Sequence, residues 1–170
     1  MLATTRFCPI ALGIGAILSF FVPCGAVPAQ ADVVVSSAAT QDMSCSNGVC
    51  APTATDAVLN VSDLETMLAS GNVEVTTTGS GKVQANNIDV DAALSWSTAN
   101  MLSLDAFNAI TVNRKISVAG LGGLTLNTPN NTLLSFEKKG HVVFQNLSSL
   151  LTIGGTAYTL VGDIKSLASA

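Results

Sequence analysis

The sequence predicts an all-β chain wound as a solenoid of parallel strands, about three to four coils long, with a short N-terminal capping helix. Three observations carry that expectation. A three-strand pattern returns after 22 residues without a gap: Ile88-Asp89-Val90, Leu94-Ser95-Trp96 and Leu102-Ser103-Leu104 are answered by Ile110-Thr111-Val112, Ile116-Ser117-Val118 and Leu124-Thr125-Leu126. Each triplet alternates apolar, small polar and apolar residues, so two side chains point one way and one the other. Charge is low, at 11% of residues, and Ser, Thr, Asn and Gly are abundant. A repeat of this length implies stacked units whose cores form only when neighbours stack. A β-sandwich of antiparallel strands also explains the alternation, but not why three triplets share one period.

The elements follow in order. Residues 1–31 read as a secretory signal peptide: Arg6, an uncharged apolar run from Ile10 to Val22, and a small-x-small site at Ala29-Gln30-Ala31. The run is short for a membrane span, which needs about 20 residues. An uncleaved anchor and a lipidated Cys24 are the rival readings, and Pro23 fits the second poorly. No further long apolar run follows. The rest is one domain, and without Arg6 it is more acidic than the net −4 of the whole chain. That balance argues against nucleic acid, which demands a basic face.

Residues 32–58 form a leader segment without sustained period, holding Cys45 and Cys50 around Ser46-Asn47-Gly48-Val49. Asn-Gly is a turn dipeptide, so the two sulfurs are expected to meet as a disulfide in an oxidising compartment. A metal or redox pair is the sharper reading, and two cysteines without nearby histidines do not complete a zinc site.

Residues 59–161 are the solenoid module. Ser62-Asp63-Leu64-Glu65 reads as a capping box opening a helix of about two turns, with Leu64, Met67 and Leu68 on one side and Gly71 as its stop. A helix this short needs packing to persist, and the open end of the stack is where it is expected to lie. Val73-Glu74-Val75 is the first strand, matched to Leu94-Ser95-Trp96. After the two regular coils come Leu134-Ser135-Phe136, Val142-Val143-Phe144 and Leu151-Thr152-Ile153, with insertions at Asn130-Asn131 and Glu137-Lys138-Lys139-Gly140. Asn86, Asn108 and Asn130 fall one period apart and suggest an amide ladder at one corner. Residues 162–170 repeat an earlier theme: Asp163-Ile164 and Leu167-Ala168-Ser169 match Asp63-Leu64 and Leu68-Ala69-Ser70. They read either as the start of a second helical cap or as a truncated repeat of a longer chain.

Four segments carry a family resemblance: Leu59 to Leu64 with Met67 to Val73, Leu94-Ser95-Trp96-Ser97, Leu102 to Ala106, and Leu151 to Leu160. Together the chain resembles the N-terminal modules of exported bacterial surface proteins, the filamentous-haemagglutinin-like and autotransporter-passenger β-helices. The resemblance implies a right-handed parallel β-helix, export to the cell surface, and an adhesive or structural role. It supplies no catalytic residues. Its members are far longer, and this chain carries neither the translocating barrel nor most of a passenger.

Candidate chemistry is sparse. His141 is the only histidine, placed at a turn, and reads as a solvated residue. No Gly-x-Ser-x-Gly elbow is present. Gly120-Leu121-Gly122-Gly123 joins two strands with no helix after it, so it reads as a turn and not as a phosphate loop. A polysaccharide lyase or hydrolase needs carboxylates gathered on one face. Asp89 and Asp91 are read onto opposite faces, Asp105 at another corner, and Arg114-Lys115 in a turn, so the acids are dispersed. No clustered Asp/Gly calcium repeat is present. The expectation is an exported, non-enzymatic structural or adhesive module, secreted or cell-surface, needing no cofactor and no metal. Its expected partners are host or environmental glycans or other surface proteins. The alternative is a β-helix protein that binds glycans through its Ser/Thr face or degrades polysaccharides through its carboxylates; an ice-binding face is a narrower variant.

Overall fold

The computed structural model describes residues 31–129, 133–137 and 139–162. Most of the expected signal peptide, Asn130-Asn131, Lys138 and the segment from Asp163 onward lie outside the described residues.

Among the described residues, fifteen strands form three mostly parallel sheets, joined by one α-helix. β1 (Asp32–Ser36), β4 (Ala57–Asn60), β6 (Asn87–Val90), β9 (Ile110–Val112) and β12 (Leu134–Phe136) form the first, ordered β12-β9-β6-β1-β4. β7 (Leu94–Trp96), β10 (Lys115–Val118) and β13 (His141–Phe144) form the second, ordered β13-β10-β7. The third holds β2 (Met43–Ser46), β3 (Val49–Pro52), β5 (Val73–Thr76), β8 (Met101–Asp105), β11 (Gly123–Asn127), β14 (Leu150–Ile153) and β15 (Thr156–Tyr158). Its order is β15-β14-β11-β8-β5-β3-β2. Among the described residues only the hairpins β2–β3 and β14–β15 pair antiparallel between strands.

The neighbour relations follow the period. Ile88 pairs with Ile110, Leu94 with Ile116 and Leu102 with Leu124, all parallel. Leu134, Val142 and Leu151 then pair with Ile110, Ile116 and Leu124. Parallel neighbours sit about 4.8 Å apart, so side chains of like position form columns. Ile88, Val90, Leu94, Trp96, Leu102, Leu104 and the six residues one period later are all buried, Trp96 being the most exposed at 5%. Each such burial contributes about 1.5–3 kcal/mol.

The fold class itself needs correction. The chain is not an all-β, right-handed parallel β-helix. It is three separate, mostly parallel sheets with a helix, an α/β-like arrangement, and no sheet closes or curls on itself among the described residues. The period specifies which triplets neighbour one another; it does not specify closure, and residues 32–60 obey no period at all. Those residues are no loose leader. β1 is a central strand, with Val33 facing Ala57 on one side and Ile88 on the other, and Val33 and Val35 fully buried. The uninterrupted Val33-Val34-Val35 run hides its alternation, although Val34 faces outward and is only half-buried. The first-strand match also changes. β5 pairs with β8, Val73 against Leu102, and not with Leu94. The antiparallel-sandwich alternative falls with the parallel registers.

α1 (Val61–Ser70) links β4 to β5. Its N-cap is Asn60, whose Oδ1 accepts from the amides of Ser62 and Asp63 at 2.8 and 3.3 Å. The Ser62 capping box is therefore displaced by two residues. Glu65, not held at the helix start, reaches a neighbouring strand instead. Its carboxylate accepts from the Ser95 amide at 2.8 Å and from the Ser95 hydroxyl at 3.3 Å. The Leu68 carbonyl accepts from Thr98 Oγ1 and Asn100 Nδ2, and Asn72 Oδ1 accepts from the Met101 amide. Leu64 and Leu68 are fully buried beneath it. The helix thus occupies the place a further strand would take beside β7 and satisfies the edge groups that strand would bond.

Candidate functional site

The middle side chains of the stacked triplets are mostly short and polar, and parallel pairing sets them in rows, with Ser117 among them buried. Asp89, Thr111 and Ser135 form one; Ser95, Ser117 and Val143 another; Glu74, Ser103, Thr125 and Thr152 a third. At the corners, side-chain amides reach back one register to the neighbouring segment. Asn87 Nδ2 donates to Asp32 at 2.7 Å, Asn108 to Asn87 at 2.7 Å, Asn113 to Asp91 at 2.8 Å and Asn127 to Asp105 at 2.9 Å. The expected ladder at Asn86, Asn108 and Asn130 takes a different form. Asn86 meets Asn108 through its backbone carbonyl, which accepts from the Asn108 amide at 2.8 Å, and Asn130 lies outside the described residues. The Asn113–Asp91 and Asn127–Asp105 pairs were missed by sequence reasoning. Their signal was available, since each spans 22 residues.

The carboxylates are therefore mostly engaged. Burial pushes the Asp89 pKa up, the Thr111 hydroxyl opposes this, and the charges of Asp32, Asp91 and Glu137 push it up further. Asp89 and Asp91 do not diverge onto opposite faces. Residues two apart in extended chain share a face, and the two lie close enough to repel. Asp105 sits at a different corner, bound by Asn127. Among the described residues no three His, Cys, Asp or Glu side chains are grouped to hold a metal ion.

The remaining sequence candidates fall as follows. Cys45 and Cys50 form the expected disulfide, across the β2–β3 register, with Asn47 and Gly48 at φ 52° and 80° in the turn between them. Cys45 is exposed and Cys50 fully buried. His141 is exposed, its Nδ1 2.9 Å from the Lys139 carbonyl. Arg114 and Lys115 are exposed beside it, since Lys115 and His141 are register partners. Gly120-Leu121-Gly122-Gly123 leads into β11 as a turn. A Cβ at Gly120 would stand 2.1 Å from the Ser97 carbonyl oxygen, so glycine there permits backbone to meet backbone.

One concavity was not foreseen. A groove of about 510 Å³ lies between the β2–β3 turn and the last turns of α1. Ser46, Asn47, Thr66, Ser70 and Asn72 line it with hydroxyls and amides, and Met67 adds an apolar surface. It holds no ionisable side chain. Two elements distant in sequence create it, so no local motif announces it.

Comparison of the chain with protein-family models, curated proteins and solved structures returns no match.

Proposed function

We propose that this chain is an exported, non-enzymatic surface module with a structural or adhesive role, kin to the exported bacterial surface proteins its sequence resembles. The observation that carries the reading is the construction of its outer face: rows of short hydroxyl side chains fixed by parallel registers, with neighbouring carboxylates tied to amides one register away. Such a face presents shape and hydrogen-bonding groups and does not assemble an acid–base pair. The disulfide fits an oxidising compartment. The partners are glycans or other surface proteins. Incubating the purified protein with acidic polysaccharides tests the reading: no turnover is expected, and turnover abolished by Asp89→Ala or Asp105→Ala overturns it.

A second reading has its own support. The uncharged groove beside α1 offers hydroxyls, amides and one thioether, the chemistry that recognises a neutral sugar. A glycan array read with the wild type and with Asn47→Ala and Ser70→Ala variants separates the two. A hit lost in both variants places glycan recognition in the groove; a hit retained in both assigns it to the outer rows.

A further inference from the structure

The disulfide joins two sulfurs in unlike surroundings. Cys45 is exposed and lines the groove beside α1. Cys50 is fully buried, and three elements hold it there. It faces Cys45 across the β2–β3 hairpin and pairs with fully buried Val75 of β5. Its Sγ lies 3.7 Å from Met67 Sδ on α1. The turn between the cysteines is pinned as well, the Gly48 carbonyl accepting from the Glu74 amide at 2.7 Å. The hairpin is thus attached to its sheet by bonds other than the disulfide.

Thiol–disulfide exchange needs room for a thiolate to approach one sulfur while the other leaves. Around Cys50 that room is taken by Met67, Val75 and the rest of the core. Cys45 borders a groove of about 510 Å³, and small molecules occupy sites of about 300–1,000 Å³. Cys50 does not line that groove; Met67, which does, meets its sulfur. Among the described residues no basic side chain lines the groove. Access, and not attraction of the thiolate, therefore separates the two sulfurs.

We propose that Cys45 is a modification site for small thiols, reached through the groove without unfolding. The incoming thiolate attacks Cys45 Sγ. A new disulfide forms between them, the Cys45–Cys50 bond breaks, and its electron pair leaves on Cys50. Cys50 then takes up a proton, replacing the one the incoming thiol gave to water. The incoming sulfur is oxidised and Cys50 is reduced, so no further oxidant or reductant is needed. Burial against Met67 disfavours a Cys50 thiolate. That makes Cys50 a slow leaving group and afterwards a slow attacker, so the mixed disulfide persists. The attached molecule lies in the groove, and its occupancy follows the thiol–disulfide balance outside the protein. The inference does not rest on glycan binding and survives its absence.

The test incubates the full-length chain with reduced glutathione, quenches in acid, then unfolds it and blocks free thiols with N-ethylmaleimide. Cleavage before Asp42 and Asp56 puts both cysteines in one peptide, apart from Cys8 and Cys24, and fragment ions between Cys45 and Cys50 locate the adduct. In the folded protein glutathione is expected on Cys45 over Cys50 by about tenfold or more. In urea, where both sulfurs are open to attack, the two should be modified nearly equally. Ser70→Phe fills the groove from an exposed helix end. It should slow adduct formation in the folded protein by about tenfold and leave the rate in urea unchanged. An adduct shared equally between the cysteines of the folded protein overturns the proposal, and so does one that forms only where urea unfolds the chain. A Ser70→Phe rate equal to wild type overturns the groove as the route. If Ser70→Phe fails to fold, the wild-type ratio of the two adducts still decides.

Discussion

Gly122→Ala should destabilise the protein by about 2–4 kcal/mol, and the reason is geometric. Gly122 is not at positive φ, so its backbone is open to any residue. What it lacks is room. A Cβ there would lie 2.4 Å from the Asn100 carbonyl oxygen and 2.6 Å from Trp96 Nε1, whereas ordinary contact begins near 3.4 Å. Those two atoms are themselves hydrogen-bonded at 2.9 Å. The methyl must move one or both by up to about 1 Å, and overpacking of this kind costs about 1–3 kcal/mol. Separating them leaves the indole N–H of a side chain only 5% exposed without its acceptor, which adds about 1–3 kcal/mol where it occurs. Trp96 is the only tryptophan, so its fluorescence reports both the site and unfolding. Urea denaturation should show a lower midpoint with unchanged slope, and folded-state emission should shift to longer wavelength. Gly71→Ala is the control, since nothing lies within 4 Å of the Cβ position there and its φ of −175° suits any residue. A Gly122→Ala stability within about 0.5 kcal/mol of wild type, the range of surface substitutions, refutes the reasoning.

Two further perturbations probe the polar framework. A carboxyl whose pKa is raised on folding binds its proton more tightly folded than unfolded, so stability falls as pH climbs from the ordinary aspartate value through the raised one. Asp89→Asn keeps an acceptor for Thr111 and removes that loss; the variant should be the more stable at neutral pH, the gap closing in acid, as measured by thermal melts across pH. Glu65→Ala removes the acceptor for the Ser95 amide and hydroxyl at the edge of β7 and should cost about 1 kcal/mol. Amide hydrogen exchange should accelerate at Ser95 and largely recover in Glu65→Gln; unchanged exchange in the alanine variant counts against helix α1 sealing that edge.

The sequence carried the local register well. Its apolar triplets named their own neighbours because columns of like residues leave a period, and Cys45 found Cys50 because Asn47-Gly48 dictates a tight turn. Features built from unlike partners were illegible. Val33 and Val35 sit between strands from two other parts of the chain, so nothing nearby in sequence reports them. Ser62 and Glu65 matched a capping motif, yet Asn60 takes the Ser62 amide that the Glu65 carboxylate would have bonded, and tertiary contact draws Glu65 to Ser95. Placing Asp89 and Asp91 on opposite faces was an error of alternation. The groove beside α1 had no signal at all, being a product of packing between β2–β3 and the helix.

The central position of β1 bears on how the molecule is made. A ribosome delivers Val33 and Val35 long before Asn87–Val90 exists, and Asn87 Nδ2 reaches Asp32 across 55 positions. Until then the earliest strand has Ala57–Asn60 at most on one flank and bare valines on the other. Assembly must therefore include a long-range pairing, slow compared with adding strands that lie one period apart. The nascent polypeptide spends that interval with a sticky ribbon in the open, a reason for it to be kept unfolded and chaperoned until translation has passed Val90.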